Sequence, residues 1–160
     1  MIIRKATLTD LKLVMPIFER AKVFMAQTGN PTQWIGGYPS EAVIANDIEN
    51  GNLYIAEEDK IYAVFSLIQG PDPTYSIIEN GSWLNDAPYH VVHRLAASGE
   101  RTGMGRYCLE WCFQQCGNLR ADTHADNRIM QHILLQTGFT PCGIIYCHNA
   151  TPRLSYQRKK

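Results

Sequence analysis

Apolar residues at Leu11, Val14, Met15, Phe18, Val23 and Met25 recur at helical spacing, so the first long segment, running to Gly29, predicts an amphipathic helix. Thr7 and Asp10 just ahead of it have the spacing of an N-terminal capping pair, with Asp where Glu is preferred. Pro16 lies inside the stretch and lacks a backbone N–H, which predicts a kink or a broken first turn. Residues 2–6 read as a short strand ahead of this helix. Residues 30–39, with Trp34, Gly36, Gly37 and Tyr38, read as a loop, after which Ser40 caps a second helix that ends near Gly51. Residues 53–57 and 61–68, separated by Glu58, Asp59 and Lys60, predict two strands in a hairpin.

The second half has a clearer rhythm. Residues 89–97 predict a strand, 103–116 a helix ended by Gly117, 119–123 a short strand, and 127–137 a helix ended by Gly138. Two strands, 139–147 and 153–158, close the chain. The first strand, helix and strand of this series are long enough for a right-handed parallel crossover. A turn at Pro71 and Pro73 and a short strand at 76–79, with Trp83 packing nearby, fill the interval before it. The expected fold is α/β, a mixed and mainly antiparallel central sheet flanked by helices, formed as a single domain over residues 1–160.

Composition narrows the class. With 45% hydrophobic and 19% charged residues in 160, the chain is of globular type and long enough to bury a core without disulfide staples. No stretch reaches the roughly 18 uncharged apolar residues of a membrane span. Asp10, Lys12, Glu19, Arg20 and Lys22 interrupt the first apolar segment, which therefore lacks the centre of a signal peptide, and a cytoplasmic location is expected. Among the five cysteines, Cys108, Cys112 and Cys116 recur every fourth residue, the spacing of one helix face filled by small hydrophobes; no fourth ligand for a metal is nominated.

The zero net charge is divided unevenly. Residues 1–90 hold 6 Lys and Arg against 11 Asp and Glu, net −5, whereas residues 91–160 hold 9 against 4, net +5. No concentrated basic stripe with interleaved aromatics is present, which argues against a nucleic-acid surface. A small anionic ligand in the second half fits the pattern better.

Arg101-Thr102-Gly103-Met104-Gly105-Arg106 stands between a predicted strand and a predicted helix. Glycines there allow close backbone approach, and the N–H groups of a first helical turn bind phosphate. The third glycine of a dinucleotide fingerprint and the Lys-Ser or Lys-Thr of a P-loop are both missing.

Downstream, the segment from Asp122 through His124 and Asn127 to Met130, followed by Ile133, Leu134 and Gly138-Phe139, resembles the second half of the GNAT acetyltransferase family. The distance from Asn127 to Gly138-Phe139 matches the family spacing, and Gly103-x-Gly105 sits where the pyrophosphate loop belongs. The resemblance covers residues 90–147 closely and the rest as an order of elements. It implies a GNAT-like acyl-CoA N-acyltransferase fold and an N-acetyltransferase that uses acetyl-CoA as co-substrate and a small-molecule or peptide amine as acceptor, with neither nucleic acid nor membrane as partner. Leu95, Ala96 and Ala97 would offer backbone groups to the pantetheine arm and the developing oxyanion. The loop Arg101, Thr102, Gly103, Met104, Gly105, Arg106 would hold the pyrophosphate, and Asn127 would contact the pantetheine or the cofactor's far side. Three departures stand out, the first being that the loop from Ala97 to Gly103 is shorter than is usual in the family. Glu100 occupies a position where the family carries Arg or Gln, and Leu134 stands where a Tyr often protonates the leaving thiolate.

Acetyl transfer to an amine needs the amine neutral. A lysine-like amine of pKa about 10.4 costs roughly 4.6 kcal/mol to neutralise at pH 7, and an α-amine near 8 costs about 1.4 kcal/mol. His124, at the end of a strand beside Asp122, is the candidate base, and Tyr146 is the candidate replacement for the missing acid. His93 alternates with Leu95 and is expected to bond within the core. Trp34, Tyr38 and Trp83, large residues in loops of the acidic half, are the candidate acceptor contacts. The competing functions are a coenzyme-binding module without efficient catalysis and a nucleotide-binding regulatory protein.

Overall fold

A computed structural model describes all 160 residues. Seven strands form one sheet in the order β1-β2-β3-β4-β5-β7-β6, where β1 is Ile2–Lys5, β2 Leu53–Glu57, β3 Ile61–Gln69, β4 His90–Ala97, β5 Asn118–Thr123, β6 Thr140–Tyr146 and β7 Pro152–Lys159. Only β4 and β5 run parallel, joined through helix α3, Met104–Cys116. The expected mixed, mainly antiparallel sheet is the one found.

Helices α1, Leu11–Gln27, and α2, Glu41–Glu49, cover one face. In α1 the buried stripe is Val14, Ile17, Phe18 and Ala21, which meets Leu53, Ile55 and Val64 of the sheet and Ile44 and Ile48 of α2. Val23, expected in that stripe, is exposed. The helix runs through Pro16 without interruption; irregularity is confined to a preceding 3₁₀ turn, Leu8–Asp10, where Asp10 accepts the Thr7 backbone N–H at 2.7 Å. On the other face, α3 and α4, Arg128–Gln136, bury Cys108, Leu109, Cys112 and Leu134 against Phe65, Leu67, Val92, Leu119, Ala121 and Tyr156. Cys108 and Cys112 are thus core side chains, and burial pushes the Cys108 thiol up to about 12. No helix is long and apolar enough to cross a membrane.

The expected strand at 76–79 does not form. A 3₁₀ turn, Pro73–Tyr75, takes up the chain first, and only Glu79 pairs, exchanging backbone hydrogen bonds of 2.9 and 2.8 Å with Ile144. The aromatic residues of this segment explain why: Tyr75 and Trp83 fold inward onto Val91 and Ile145 as a third small core, which holds the chain off the sheet edge.

Two departures from regular pairing shape the middle of the sheet. β4 and β5 share only the pairs His90↔Leu119 and Val91↔Arg120 and then separate. Just beyond, Val64↔Ala96 and Ser66↔His93 leave Arg94 and Leu95 opposite the single residue Phe65, a β-bulge with Arg94 at φ 53°.

Candidate active site

A cavity of about 300 Å³ opens where β4 and β5 separate. Successive residues of β4, from Val92 to Leu95, and of β5, from Ala121 to Thr123, all line it, so it passes between the strands from one face of the sheet to the other. Leu109, Met130 and Leu134 make the side under α3 and α4 apolar. The opposite side carries Asp72, His93, Arg94, Asp122 and Arg153, roofed by the loop before α2 and by residues 147–149 between β6 and β7.

Each polar side chain there is held. Arg94 donates from Nε and Nη2 to both oxygens of Asp47, at 2.7 and 2.9 Å, and from Nη1 to the Tyr38 hydroxyl at 2.8 Å. Burial works against the Arg94 charge, but Tyr38 and Asp47 outweigh it and raise the guanidinium pKa. Asp47 also accepts Ser66 Oγ at 2.6 Å. His93 Nε2 lies 2.8 Å from Asp72 Oδ2. Burial raises the Asp72 pKa, yet hydrogen bonds from His93 and Thr74 prevail and hold it at about 2. An ionised Asp72 accepts only, so neutral His93 carries its proton on Nε2 and keeps the Nδ1 lone pair free of protein partners. Asp122 accepts the buried Tyr75 hydroxyl at 2.6 Å.

The candidate acceptor contacts divide. Trp34 and Tyr38 line the cavity, packed edge to face at 6.5 Å, whereas Trp83 lies outside it, over the Arg120 guanidinium at 4.1 Å. His124 is also outside the cavity: Nδ1 accepts the Asp126 N–H at 3.0 Å and Nε2 faces Thr32 Oγ1 at 3.3 Å, so both ring nitrogens are engaged. Tyr146, on the edge strand β6, donates to Glu79 at 3.0 Å and is 42% exposed, away from the cavity. Asn127 does line it. Its Oδ1 caps α4 by accepting the Met130 N–H at 3.0 Å, and its Nδ2 donates to Gln33 at 2.9 Å. Gln33 Oε1 accepts Asn30 and Thr123 as well, tying the roof loop to β5.

At the end of β4 the chain enters the loop to α3. Leu95 lines the cavity, Ala96 is buried beneath α1 and Ala97 packs toward α3. Gly103 takes φ 76° as the N-cap of α3 with open space where a Cβ would stand, and Thr102 beside it is exposed. The left-handed conformation here favours glycine. Met104 is buried and anchors the first turn, while a Cβ on Gly105 would touch Ile133 of α4 at 3.4 Å. Arg106 is exposed without a carboxylate partner, but Arg101 is committed elsewhere, donating to Glu58 at 2.8 Å and lying 4.4 Å over the Tyr62 ring. Arg20 of α1 brings its guanidinium against Gly99 in the same loop.

Comparison of the sequence with protein-family models finds no match, and comparison with curated proteins finds none. Solved structures do match. An acetyltransferase of the GNAT family from Streptococcus agalactiae superposes with a TM-score of 0.91 at 32% identity, over 99% of this chain and 95% of that one. The chain belongs to the GNAT family of acetyltransferases. More distant structures share the fold: a ribosomal-protein-alanine N-acetyltransferase from Brucella melitensis, at 19% identity and TM-score 0.65 over 100% of both chains, and a Salmonella typhimurium protein solved with its cofactor acetyl-CoA, at 14% identity and TM-score 0.62 over 99% and 92%.

Within the GNAT fold two of the sequence departures acquire surroundings. Glu100 pairs with Lys60 at 2.9 Å, both side chains being half exposed. Leu134 is buried and lines the cavity, so no acid group stands at that position. Sequence reading missed Asp72, which meets His93 from 21 residues away, and Asp47, which meets Arg94 from 47. Neither pairing has a local spacing that could have revealed it. For Arg94 the residue itself was the available sign: a charged side chain in a strand otherwise reading as core.

Proposed function

We propose that this GNAT protein is an N-acetyltransferase that acetylates a primary amine by direct attack on acetyl-CoA. The observation that carries the reading is the slot between β4 and β5, apolar on the side of α3 and α4 and polar on the other. The residues fit the coenzyme: Gly103 leaves room for close approach at a helix N-terminus, and exposed Arg106 and Arg20 supply charge beside it. When bound, acetyl-CoA supplies the acetyl group as a thioester open to the amine.

The chain's own groups then have distinct tasks. Thr102, Gly103, Met104 and Gly105 offer the loop and helix backbone to the pyrophosphate, with Arg106 and Arg101 flanking it. Leu95, Ala96 and Ala97 continue the binding edge, and the bulge at Arg94 and Leu95 frees a backbone group from the ladder, a ready donor where negative charge develops on the carbonyl oxygen. Asn127 braces the far wall. His93 accepts the amine proton at Nδ1, because Asp72 fixes its tautomer and stabilises the imidazolium that forms. Trp34 and Tyr38 shape the acceptor mouth. With His124 engaged at both nitrogens and Tyr146 at the sheet edge, neither is assigned the proton. A thiol of pKa about 8.5 departs readily, so catalysis does not depend on an acid at Leu134.

Incubation with acetyl-CoA and a panel of primary amines tests the reading. The expected result is acetylated amine and free thiol in equal amounts, with no acetylated protein detected by mass. Coenzyme binding without turnover on any amine would make the chain a binding module instead, and accumulation of an acetylated side chain would exclude direct attack.

A further inference from the structure

We infer that the acceptor carries a carboxylate beside its amine, and that Arg153 receives it. This rests on the acetyltransferase reading and deepens it. Arg153 of β7 is only 5% exposed, and it lines the acceptor side of the slot. Its protein partners are all neutral: Nη1 donates to Thr151 Oγ1 and to the Pro152 carbonyl, both at 2.9 Å, and Nη2 to the Gln33 carbonyl at 3.2 Å. No carboxylate reaches it, and Nε has no protein acceptor. A guanidinium taken out of water without a counter-charge is costly unless an anion completes it. Arg94, the other cation of the cavity, is already neutralised by both oxygens of Asp47, which leaves Arg153 as the cation with unspent charge.

The opposite charge is nearby. Asp122 also lines the slot, accepts only the neutral Tyr75 hydroxyl and meets no cation. β5 and β7 pair Asp122 with Ser155, so Arg153 lies two residues along the same face, a diagonal neighbour across the ladder. The slot therefore presents one unpaired anion and one unpaired cation on adjacent strands. That pattern complements a zwitterion: the ammonium drawn to Asp122 and then deprotonated by His93, the carboxylate seated on Arg153. A free amino acid or similarly sized amino carboxylate has this chemistry and fits the volume.

The experiment compares amino acids with their carboxamides in steady-state turnover. Loss of one charge-assisted contact should make the carboxamide poorer in kcat/KM by roughly 10- to 100-fold for the unmodified protein. Arg153→Met should collapse the acid-to-amide ratio toward one, and Arg153→Lys should restore part of it. Equal turnover of acid and amide by the unmodified protein would overturn the inference while leaving the acetyltransferase reading intact, and would do so even were Arg153→Met to fail to fold. An unchanged ratio in a folded Arg153→Met variant would also overturn it. No turnover on any amine would remove the reading on which it rests.

Discussion

Asp47 holds Arg94 through both carboxylate oxygens, at 2.7 and 2.9 Å, and so clamps helix α2 to the one residue of β4 whose backbone is in the left-handed region. A non-glycine residue there costs roughly 1 to 2 kcal/mol, which the buried pair must offset. Asp47→Asn removes the charge and leaves Arg94 facing a neutral amide. The expected loss is about 3 to 5 kcal/mol of unfolding free energy in urea. A loss below about 1 kcal/mol would mean that the pair does not hold the bulge.

The loop to α3 makes a prediction that separates its arginines. Gly103→Val places a side chain in the open approach to the helix N-terminus and should abolish coenzyme binding in calorimetric titration, while the far-UV spectrum stays that of the parent. Arg106→Ala and Arg20→Ala should each weaken binding of the coenzyme, by about fivefold at low salt, and leave its dephosphorylated pantetheine fragment unaffected. Arg101→Ala should cost less than either, since Glu58 already holds that guanidinium. Equal losses for coenzyme and fragment would place the arginines in the fold rather than at the phosphates.

Proton transfer distinguishes two histidines. His93→Ala should lower kcat by roughly 10²- to 10⁴-fold with little change in coenzyme affinity, and Asp72→Asn should lower it too by releasing the tautomer. His124→Ala should retain most of the activity, because both its ring nitrogens bond protein groups outside the slot. The reverse pattern would return the base to the β5–α4 turn.

Acid should destabilise the protein in a defined window. Hydrogen bonds from Arg4, and from the Thr7 backbone, hold Asp10 at about 2, and His93 and Thr74 hold Asp72 at about 2 against burial, both from an ordinary 3.8. Carboxyls with lowered folded-state values bind protons more readily when unfolded, so their stabilisation is complete above about pH 4 and lost as pH falls toward 2. Chemical denaturation at pH 5, 4, 3 and 2.5 should show that fall. It should flatten in Asp10→Asn and Asp72→Asn, and a parent whose stability does not change across the window would refute the assignment.

The elements of the second half were legible because their signals are local: glycines at 117 and 138 end helices, and Asn127 caps one through its own side chain. The glycine-bearing turn that opens α3 was legible for the same reason. The polar side of the slot was not. Its polar groups come from three loops and three strands, and the partner of each is set by the path of the chain between them. Thus Trp34, Tyr38 and Trp83 look alike in sequence, yet the first two border the slot and the third covers Arg120. His124 was the conspicuous histidine by position, whereas His93, in an alternating strand, gained its significance only when the turn at Pro73–Tyr75 brought Asp72 beside it.

Two paired residues on each of β4 and β5 hold the halves of this sheet together at its centre. Had the ladder continued past Val91 and Arg120, the strands would have closed like a zipper, and the same seven strands would leave no slot between them. The slot is therefore made by stopping a hydrogen-bonding pattern early, not by carving space from a finished core. Its depth is counted in missing rungs, so adding or removing one rung at this seam would alter its reach.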